Sequence, residues 1–512
     1  MEAASLLAAL DGVCARWPHR PALVCGGRVT TRAELAAAAG ALAAAYRRLG
    51  VRRGDRVVCS VSNRAELVMA LGAAWRAGAV HAAADWQLTG PELLRVVELT
   101  GASALVCEPR ADAPDPLAAI RAVRERHPAL PVVVAGEGPL PPGCHAFAAL
   151  TADDPGGGDP DPPSPEDPAL IFLSSGTTGA PKATVGYHGN LAQRWGRLAG
   201  WLRFGPDDVH LAHLPLSHGF GLMMAMGGLL AGGRLVLQDP FTAAGAVRLI
   251  GAERVTVLNG APAHFTLVLS RLAGHPGAAD TLRLAVGTAA VFPPALVREI
   301  WDRLGVEFMY MYGSSEGVGV ATTDRGDIAL GSVGRPAPGA VKIVGDDGEP
   351  AAPGRTGEIA FSRRVYPVRY WEGDGGGAVR GEWYHSGDLG RMDAEGRLYV
   401  FGRLKHQIDR GGLKVDPVEV EAALLRLDAV ADAAVIGVPN PVLGEDVCAC
   451  VVPAAGRAPA LEALRGALAT ELAPWKLPRE LRVLDAIPRT RLGKVDLPAL
   501  RALAGAAEPV PA

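Results

Sequence analysis

The spacing of hydrophobic and polar positions changes repeatedly along the chain. "TRAELAAAAGALAAAYRRLG" carries an alanine-rich helical period and stops at Gly50. "DRVVCSVS" is a continuous apolar run, as in a buried strand, and "RAELVMALGAAWRAGA" returns to the helical period. "SALVCE" and "LPVVVAG" are further short strands. Strand alternating with helix predicts an α/β unit with a mostly parallel sheet over the first 150 residues. Residues 152–168, "ADDPGGGDPDPPSPEDP", are nearly all Pro, Gly and Asp, which predicts an exposed connector. "ALIFLSSGTTG" then runs an apolar strand into small residues, and "RLVLQ", "RVTVLNG" and "LRLAVG" predict more α/β units.

The texture shifts near residue 330. "VKIVGDDGEPAAPGRTGEIAF" and "GRLYVFGR" read as hairpins with Asp-Gly and Glu-Gly turns. Beyond residue 403 a smaller segment combines helices "PVEVEAALLRL" and "ALEALRGALATEL" with strands "DAAVIGV" and "DVCACVVP". The expected fold is therefore α/β: a large N-terminal body of α/β subdomains with a β-rich portion, residues 1–402, and a small α+β C-terminal domain, residues 403–512. No fixed-period repeat is present.

Composition narrows the function classes. The 512 residues are 49% hydrophobic and 21% charged, with a formal net charge of -3. Nothing in that balance attracts nucleic acid or an anionic membrane. Cys14, Cys25, Cys59, Cys107, Cys144, Cys448 and Cys450 fall mostly in apolar runs and read as reduced core thiols. "MEAASLLAALDGVCARW" has neither a basic n-region nor a long apolar run, so a cytoplasmic protein without signal peptide or membrane span is expected.

The candidate chemistry centres on "SSGTTGAPK". A strand feeding small residues lets backbone N–H groups approach an anion closely. Hydroxyls of Ser174, Ser175, Thr177 and Thr178 add donors around Gly176 and Gly179, and Lys182 adds a cation. The G-x-x-G-x-x-K spacing is neither the Walker loop nor G-x-G-x-x-G.

Together with "LPLSHGFGL" (214–222), "MYGSSEG" (311–317), "GSVGRPAPG" (331–339), "WYHSGDLG" (383–390), "GRLKHQIDRGGLKVDPVEVE" (402–421) and "IPRTRLGKVD" (487–496), this stretch resembles the ordered motifs of the adenylate-forming superfamily. That superfamily includes acyl-CoA synthetases, peptide-synthetase adenylation domains and firefly luciferase. The resemblance spans residues 20–500 and is nearest to acyl- and aryl-CoA ligases.

The resemblance implies ATP-dependent activation of a carboxylic acid, aryl or medium acyl, to an acyl-adenylate with release of pyrophosphate. Transfer to a thiol follows, with CoA the leading acceptor and carrier-protein phosphopantetheine the alternative. It implies that Lys182 and the small-residue loop hold phosphates, that Glu316 binds Mg²⁺, and that Asp388 and Arg403 contact the ribose. Gly287, Thr288, Ala289, Tyr312, Gly313 and Ser315 are implied around the nucleotide. "VGTAA" departs from the more usual Gly-Gly-Ala-Pro at Thr288 and Ala290, and Ser315 stands where Thr is usual. Lys494 is implied as the catalytic lysine, carried on the small domain, and His218 as a gate beside the activated carboxylate. His218, Gly219, Phe220, Leu222, His264 and Gly287 are implied in the acyl pocket, with Gly221 and Met223 adding room and an apolar wall. Family members use two domain orientations, which makes Lys405 the hinge and puts Gly411 and Gly412 on the thiol-acceptor face; Asp409 replaces a lysine of some relatives.

His218 has no acidic sequence neighbour of the kind that anchors an α-amino group, which argues against a free α-amino acid. No carrier signature follows residue 500, so a carrier protein is expected to be a separate chain. Also open at this point are an amine acceptor, a non-carboxylate oxyanion, and a catalytically silent nucleotide-binding protein, the last opposed by the intact charge set Lys182, Glu316, Asp388 and Lys494.

Overall fold

The computed structural model describes residues 5–110, 115–136, 138, 140–152, 162–174, 182–272, 274–410, 413–440, 443–469, 471–491 and 493–506. The strands form four sheets. In the first, strands His145–Ala146, Val132–Val134, Ala104–Cys107, Arg56–Ser60, Val80–Ala83 and Pro168–Ser174 lie parallel in that order, and Lys182–Tyr187 closes the edge antiparallel. The second sheet runs Gly319–Thr322, Glu307–Gly313, Leu284–Gly287, Val257–Gly260, Val209–Ala212, Arg234–Leu237, Pro21–Cys25 and Arg28–Thr31, parallel inside with an antiparallel pair at each end. Four-residue strands such as Ala104–Cys107 and Val257–Gly260 are buried at every position, as expected for parallel strands covered on both faces.

Helices Leu6–Arg16, Arg32–Arg48, Ala65–Arg76 and Gly219–Leu230 share one apolar core with strands of both sheets. The helix from Arg32 starts in a capping box: Thr31 receives the Glu34 amide while Glu34 accepts from the Thr31 amide. It ends before Gly50, whose φ of +98° suits glycine and not the alanines before it. Trp75 has no exposed surface, and its Nε1 donates to the Ala169 carbonyl at 3.0 Å, tying the helix to strand Pro168–Ser174.

A third, antiparallel sheet contains Val341–Val344, Thr356–Ser362, Val379–Arg380, Trp383–Met392 and Leu398–Arg403. The predicted Glu-Gly turn, Glu395–Gly396, joins its last two strands, and Gly396 has φ +79°. The fourth sheet, Ile408–Arg410, Leu413–Val415, Val430–Asn440, Gly444–Pro453 and Glu480–Val483, has cores of its own with helices Pro417–Leu424, Leu461–Leu468 and Leu497–Ala506. The molecule is thus a large N-terminal body with a smaller C-terminal domain.

Of the expected connector, residues 153–161 lie outside the described residues; 162–167 lead by a turn into the strand at Pro168, with Asp167 accepting from Arg53 and from the Ser164 amide. The cysteines are all unpaired, and all but the half-buried Cys25 are buried. Among the described residues, no helix is long and apolar enough to cross a membrane.

Candidate active site

Four segments meet at one cleft. The first is the hairpin whose strands are Pro168–Ser174 and Lys182–Tyr187, with Ser174 opposite Lys182. Ser175, Gly176, Thr177, Thr178 and Gly179 lie outside the described residues, and of Ser174 only the backbone is described. The free edge of the hairpin is covered by residues 369–371: the Val185 amide donates to the Arg369 carbonyl at 2.9 Å and the Trp371 amide to the Ala183 carbonyl at 2.8 Å. That cover brings the small-residue stretch 373–377 over Lys182, where a side chain at Gly376 would lie 3.8 Å from Nζ. The same cover carries Tyr370, whose hydroxyl donates to Glu316 Oε1 at 3.4 Å.

Glu316 belongs to the second segment, the loop closing the hairpin of Glu307–Gly313 and Gly319–Thr322. The Ser314 amide donates to the Val318 carbonyl and the Gly317 amide to the Ser314 carbonyl, a tight turn that sets Ser315 and Glu316 at its tip. Gly313 is required here, since a Cβ would stand 2.7 Å from the Val318 carbonyl oxygen.

The third segment is the strand Trp383–Met392. Asp388 is directly opposite Arg403 in the ladder, and Arg403 Nε donates to its Oδ1 at 2.8 Å. Tyr312 donates its hydroxyl to Asp388 Oδ2 at 2.7 Å. Burial pushes the Asp388 carboxyl above its ordinary pKa, against the pull of the Arg403 guanidinium and the Tyr312 hydroxyl. Burial also pushes the Tyr312 phenol well up, so it stays a donor.

The fourth segment comes from the C-terminal domain. Arg489 bridges to Val495, the Thr490 amide donates to the Lys494 carbonyl at 2.7 Å, and the Gly493 amide donates to the Thr490 carbonyl at 2.8 Å. Gly493 has φ +75° and touches the body: a Cβ there would stand 2.8 Å from Ala261 Cβ and 3.0 Å from His264 Cε1. Lys494 is exposed overall, yet desolvation by the protein around it is the largest influence on its ammonium. That desolvation and the Arg403 charge lower its pKa, while Asp388 and Glu316 pull it back. Lys494 therefore feels the charges of both the second and the third segments.

Beside this cleft His218 caps the helix Gly219–Leu230. No acid is near it in sequence, but the fold supplies one: Asp85 Oδ2, from the loop after Val80–Ala83, is 3.9 Å from His218 Nε2. Burial lowers the His218 pKa against the opposing pull of Asp85, with Lys494 and Arg491 adding to the lowering. Gly219 lies against Ser315, where a Cβ would stand 3.7 Å from the Ser315 Cα. His218, Gly219, Phe220 and Met223 are half-exposed on one side of the helix start.

Two acyl-pocket expectations change. Leu222 has no exposed surface and sits in the core with Leu216 and Met226, a step of about 100° round the helix from the half-exposed Met223. His264 is 6% exposed, its Nδ1 accepts from the Ala261 amide at 3.2 Å, and its ring meets the Arg491 backbone. Burial lowers its pKa to about 4. Its neighbours are the C-terminal loop, His213 and Phe241.

Gly287 has no room for a side chain against Phe292 and Phe308. Ala289 adopts φ +73°, and the Tyr310 hydroxyl accepts from the Phe292 amide at 3.3 Å, holding the turn after Thr288. Lys405 starts no regular strand but lies in a short 3₁₀ turn, Leu404–His406, directly after Arg403. Gly411 and Gly412 lie outside the described residues, as does the side chain of Asp409.

The family model for the AMP-binding enzyme matches residues 10–371. The chain belongs to the AMP-binding enzyme family. The C-terminal domain model of the same enzymes matches residues 419–494. This AMP-binding enzyme is 34% identical over 487 residues to feruloyl-CoA synthase of an Amycolatopsis species, covering 93% of this chain and 94% of that protein. It is 34% identical over 507 residues to 2-hydroxy-7-methoxy-5-methyl-1-naphthoate–CoA ligase of Streptomyces carzinostaticus, covering 95% and 91%. Its backbone matches the crystal structure of the anthranilate CoA ligase AuaEII in complex with anthranoyl-AMP with TM-score 0.86 and 25% identity, covering 98% and 97% of the two chains. The enzyme is accordingly an AMP-forming ligase, which activates a carboxylate as its adenylate before transfer to a thiol.

Proposed function

We propose that this enzyme activates an aromatic carboxylic acid with ATP and Mg²⁺ and passes the acyl group to CoA. The observation that carries the reading is the convergence of Lys182, Glu316, Asp388, Arg403 and Lys494 on one cleft that opens beside the half-exposed apolar start of the helix at Gly219.

In this reading a carboxylate oxygen attacks the α-phosphorus and pyrophosphate leaves. The thiol sulfur then attacks the acyl carbon and AMP leaves. An anionic nucleophile meeting a polyanion makes charge neutralisation the chief requirement. Ser174, Ser175, Gly176, Thr177, Thr178 and Gly179 with Lys182 receive the β- and γ-phosphates. Glu316 holds Mg²⁺, for which one carboxylate plus phosphate oxygens is a usual donor set. The ion, when bound, supplies further charge neutralisation at those phosphates. Asp388 has one partner at each oxygen, Arg403 and Tyr312. A carboxylate offers about four acceptor positions, so two remain for a ribose diol. Gly287, Thr288 and Ala289 with Gly313 and Ser315 border the nucleotide. Lys494 bridges the carboxylate and the α-phosphate. Lys405 serves as the hinge, and Gly411 and Gly412 as the face for the pantetheine arm.

Support for an aromatic acid comes from the named substrates of the relatives. Against an amino acid, Asp85 and Asp239 are both engaged by Arg491, so neither is left over for an ammonium group on the substrate. A pyrophosphate-exchange screen over ferulate, naphthoates, anthranilate, benzoates and straight-chain acids tests this, followed by CoA, a carrier protein and amines offered to each positive acid. Exchange with aromatic acids and consumption of CoA is the expected result. Exchange with aliphatic or amino acids alone, or acyl transfer only to a carrier, overturns it.

A further inference from the structure

We propose that Arg491 is a positioning residue for the first half-reaction: it seats the Lys494 loop on the body by engaging Asp239 and Asp85, and releases them when the C-terminal domain turns for the second. The proposal rests on the role proposed above for Lys494.

Arg491 reaches out of the C-terminal domain into the body. Its Nη2 is 2.5 and 2.6 Å from the two carboxylate oxygens of Asp239, and its Nη1 is 3.4 Å from Asp85 Oδ1. Its guanidinium carbon lies 5.3 Å from the centre of the Trp86 ring. The Asp239 side chain is 3% exposed. Its Oδ2 otherwise accepts only the Asn63 amide among the described contacts, at 3.1 Å. A carboxylate so placed is costly to leave without its cation.

Both acids connect to the reacting region. Asn63 donates to the carbonyls of Ala212 and Leu214 and accepts from the Leu216 amide, which fixes the segment running into His218. Asp85 is shared between Arg491 and His218. On the other side, Arg491 stands two residues before Gly493, whose backbone presses on Ala261 and His264, and three before Lys494. One guanidinium therefore sets the loop bearing Lys494 in register with the segment bearing His218. Rotation of the C-terminal domain away from the body withdraws Arg491 from Asp85, Asp239 and Trp86 together. The contact thus belongs to one orientation only. A guanidinium spanning two carboxylates suits this, because its charge-assisted hydrogen bonds form only when both acids are in place.

The test compares Arg491→Ala, Arg491→Lys and Asp239→Asn with the parent enzyme, using ferulate, 1-naphthoate and anthranilate as probe acids. Loss of a charge pair of this kind lowers pyrophosphate exchange by roughly ten- to a hundredfold, after discounting for the partly exposed arginine. Thioester formation from supplied acyl-adenylate and CoA stays within about twofold of the parent, as expected when only one orientation uses the contact. Arg491→Lys recovers part of the loss. A second readout needs no acid. Amide hydrogen exchange across 488–496 accelerates in Arg491→Ala and equally in Asp239→Asn, whose changed side chain is on the body. Exchange at 488–496 that answers to Arg491→Ala but not to Asp239→Asn reveals a merely local turn and overturns the proposal. Equal losses in both half-reactions, or no loss of pyrophosphate exchange, also overturn it. Lys494→Ala serves as the control: normal exchange in that variant sinks the reading of Lys494, whereas its failure beside a normal Arg491→Ala sinks the docking role alone.

Discussion

Gly493→Ala probes the seating of the C-terminal loop with the smallest available change. Gly493 has φ +75°, and an added Cβ would stand 2.8 Å from Ala261 Cβ, 3.0 Å from His264 Cε1 and 3.1 Å from His264 Nδ1. Neither neighbour can yield by turning a rotamer. Ala261 has no side-chain torsion to use, and His264 is wedged between His213 and Phe241 with Nδ1 held by the Ala261 amide. Two costs arise. The left-handed backbone disfavours alanine by about 1–2 kcal/mol, and this is present wherever the domain lies. Overpacking against the body costs about 1–3 kcal/mol, and only in the docked orientation. Only the second slows adenylation selectively, by roughly 5- to 150-fold. The assay is pyrophosphate exchange set beside single-turnover thioester formation from supplied acyl-adenylate. Ala261→Gly removes the shortest contact and should return part of the loss in the double variant. Equal slowing of both half-reactions, or strict additivity with Ala261→Gly, refutes the reasoning.

Four further outcomes follow from the site. In its proposed role Lys494 must be charged, and charge is held only below its pKa, which desolvation first and Arg403 second depress from the ordinary lysine value. The alkaline limb of kcat/KM for adenylation should therefore fall below the range of a free lysine, and Lys494→Arg should abolish that limb in a pH profile. Asp388→Asn, which removes the charge beside Arg403 and one of the two acceptor oxygens, should raise the KM for ATP by about 10- to 150-fold in exchange kinetics, the worth of a hydrogen bond to a charged group. Glu316→Gln should raise the Mg²⁺ needed for half-maximal exchange and lower the maximum by about two orders of magnitude. Leu222→Ala should lower the melting temperature by roughly 2–6 °C in calorimetry, the effect of emptying a core leucine site in a body this large, with the order of preferred acids unchanged.

The residues readable in the sequence were those whose neighbours in the chain are also their neighbours in the fold. Ser315 and Glu316 sit at the tip of a hairpin closed within a few residues, and Asp388 meets Arg403 across adjacent strands, so local spelling carries their environment. The α/β body and the separate C-terminal sheet were legible for the same reason, because their periods are local. Asp85, Asp239 and Trp86 gave no such signal. Their partner Arg491 lies 252 residues beyond Asp239, and nothing near "AAADWQ" marks it as facing a loop of the other domain. Leu222 was misplaced because its stretch reads as uniformly small and apolar, so the pocket side of the helix is set only by what packs around it. His264 read as a pocket residue, and what the sequence did not show is its packing against the C-terminal loop, a contact that exists only once two domains are assembled.

One cleft serving two steps, as proposed, places a demand on the join between body and C-terminal domain. Each side has a hydrophobic core of its own: Leu42, Leu71 and Trp75 lie in the body, and Val420, Val447 and Leu481 in the C-terminal domain. What joins them around the cleft is different in kind: Arg491 on Asp239 and Asp85, and the bare backbone of Gly493 against Ala261 and His264. An apolar seam would hold over a range of slightly shifted positions, since burial depends on area and not on direction. Charged and close-packed contacts hold only when aligned, and water can take over their polar partners once they part. In the proposed cycle such a join would place Lys494 accurately while docked and would part without exposing either core. Asp85 and Asp239, the polar residues that sequence reasoning missed, belong to this join.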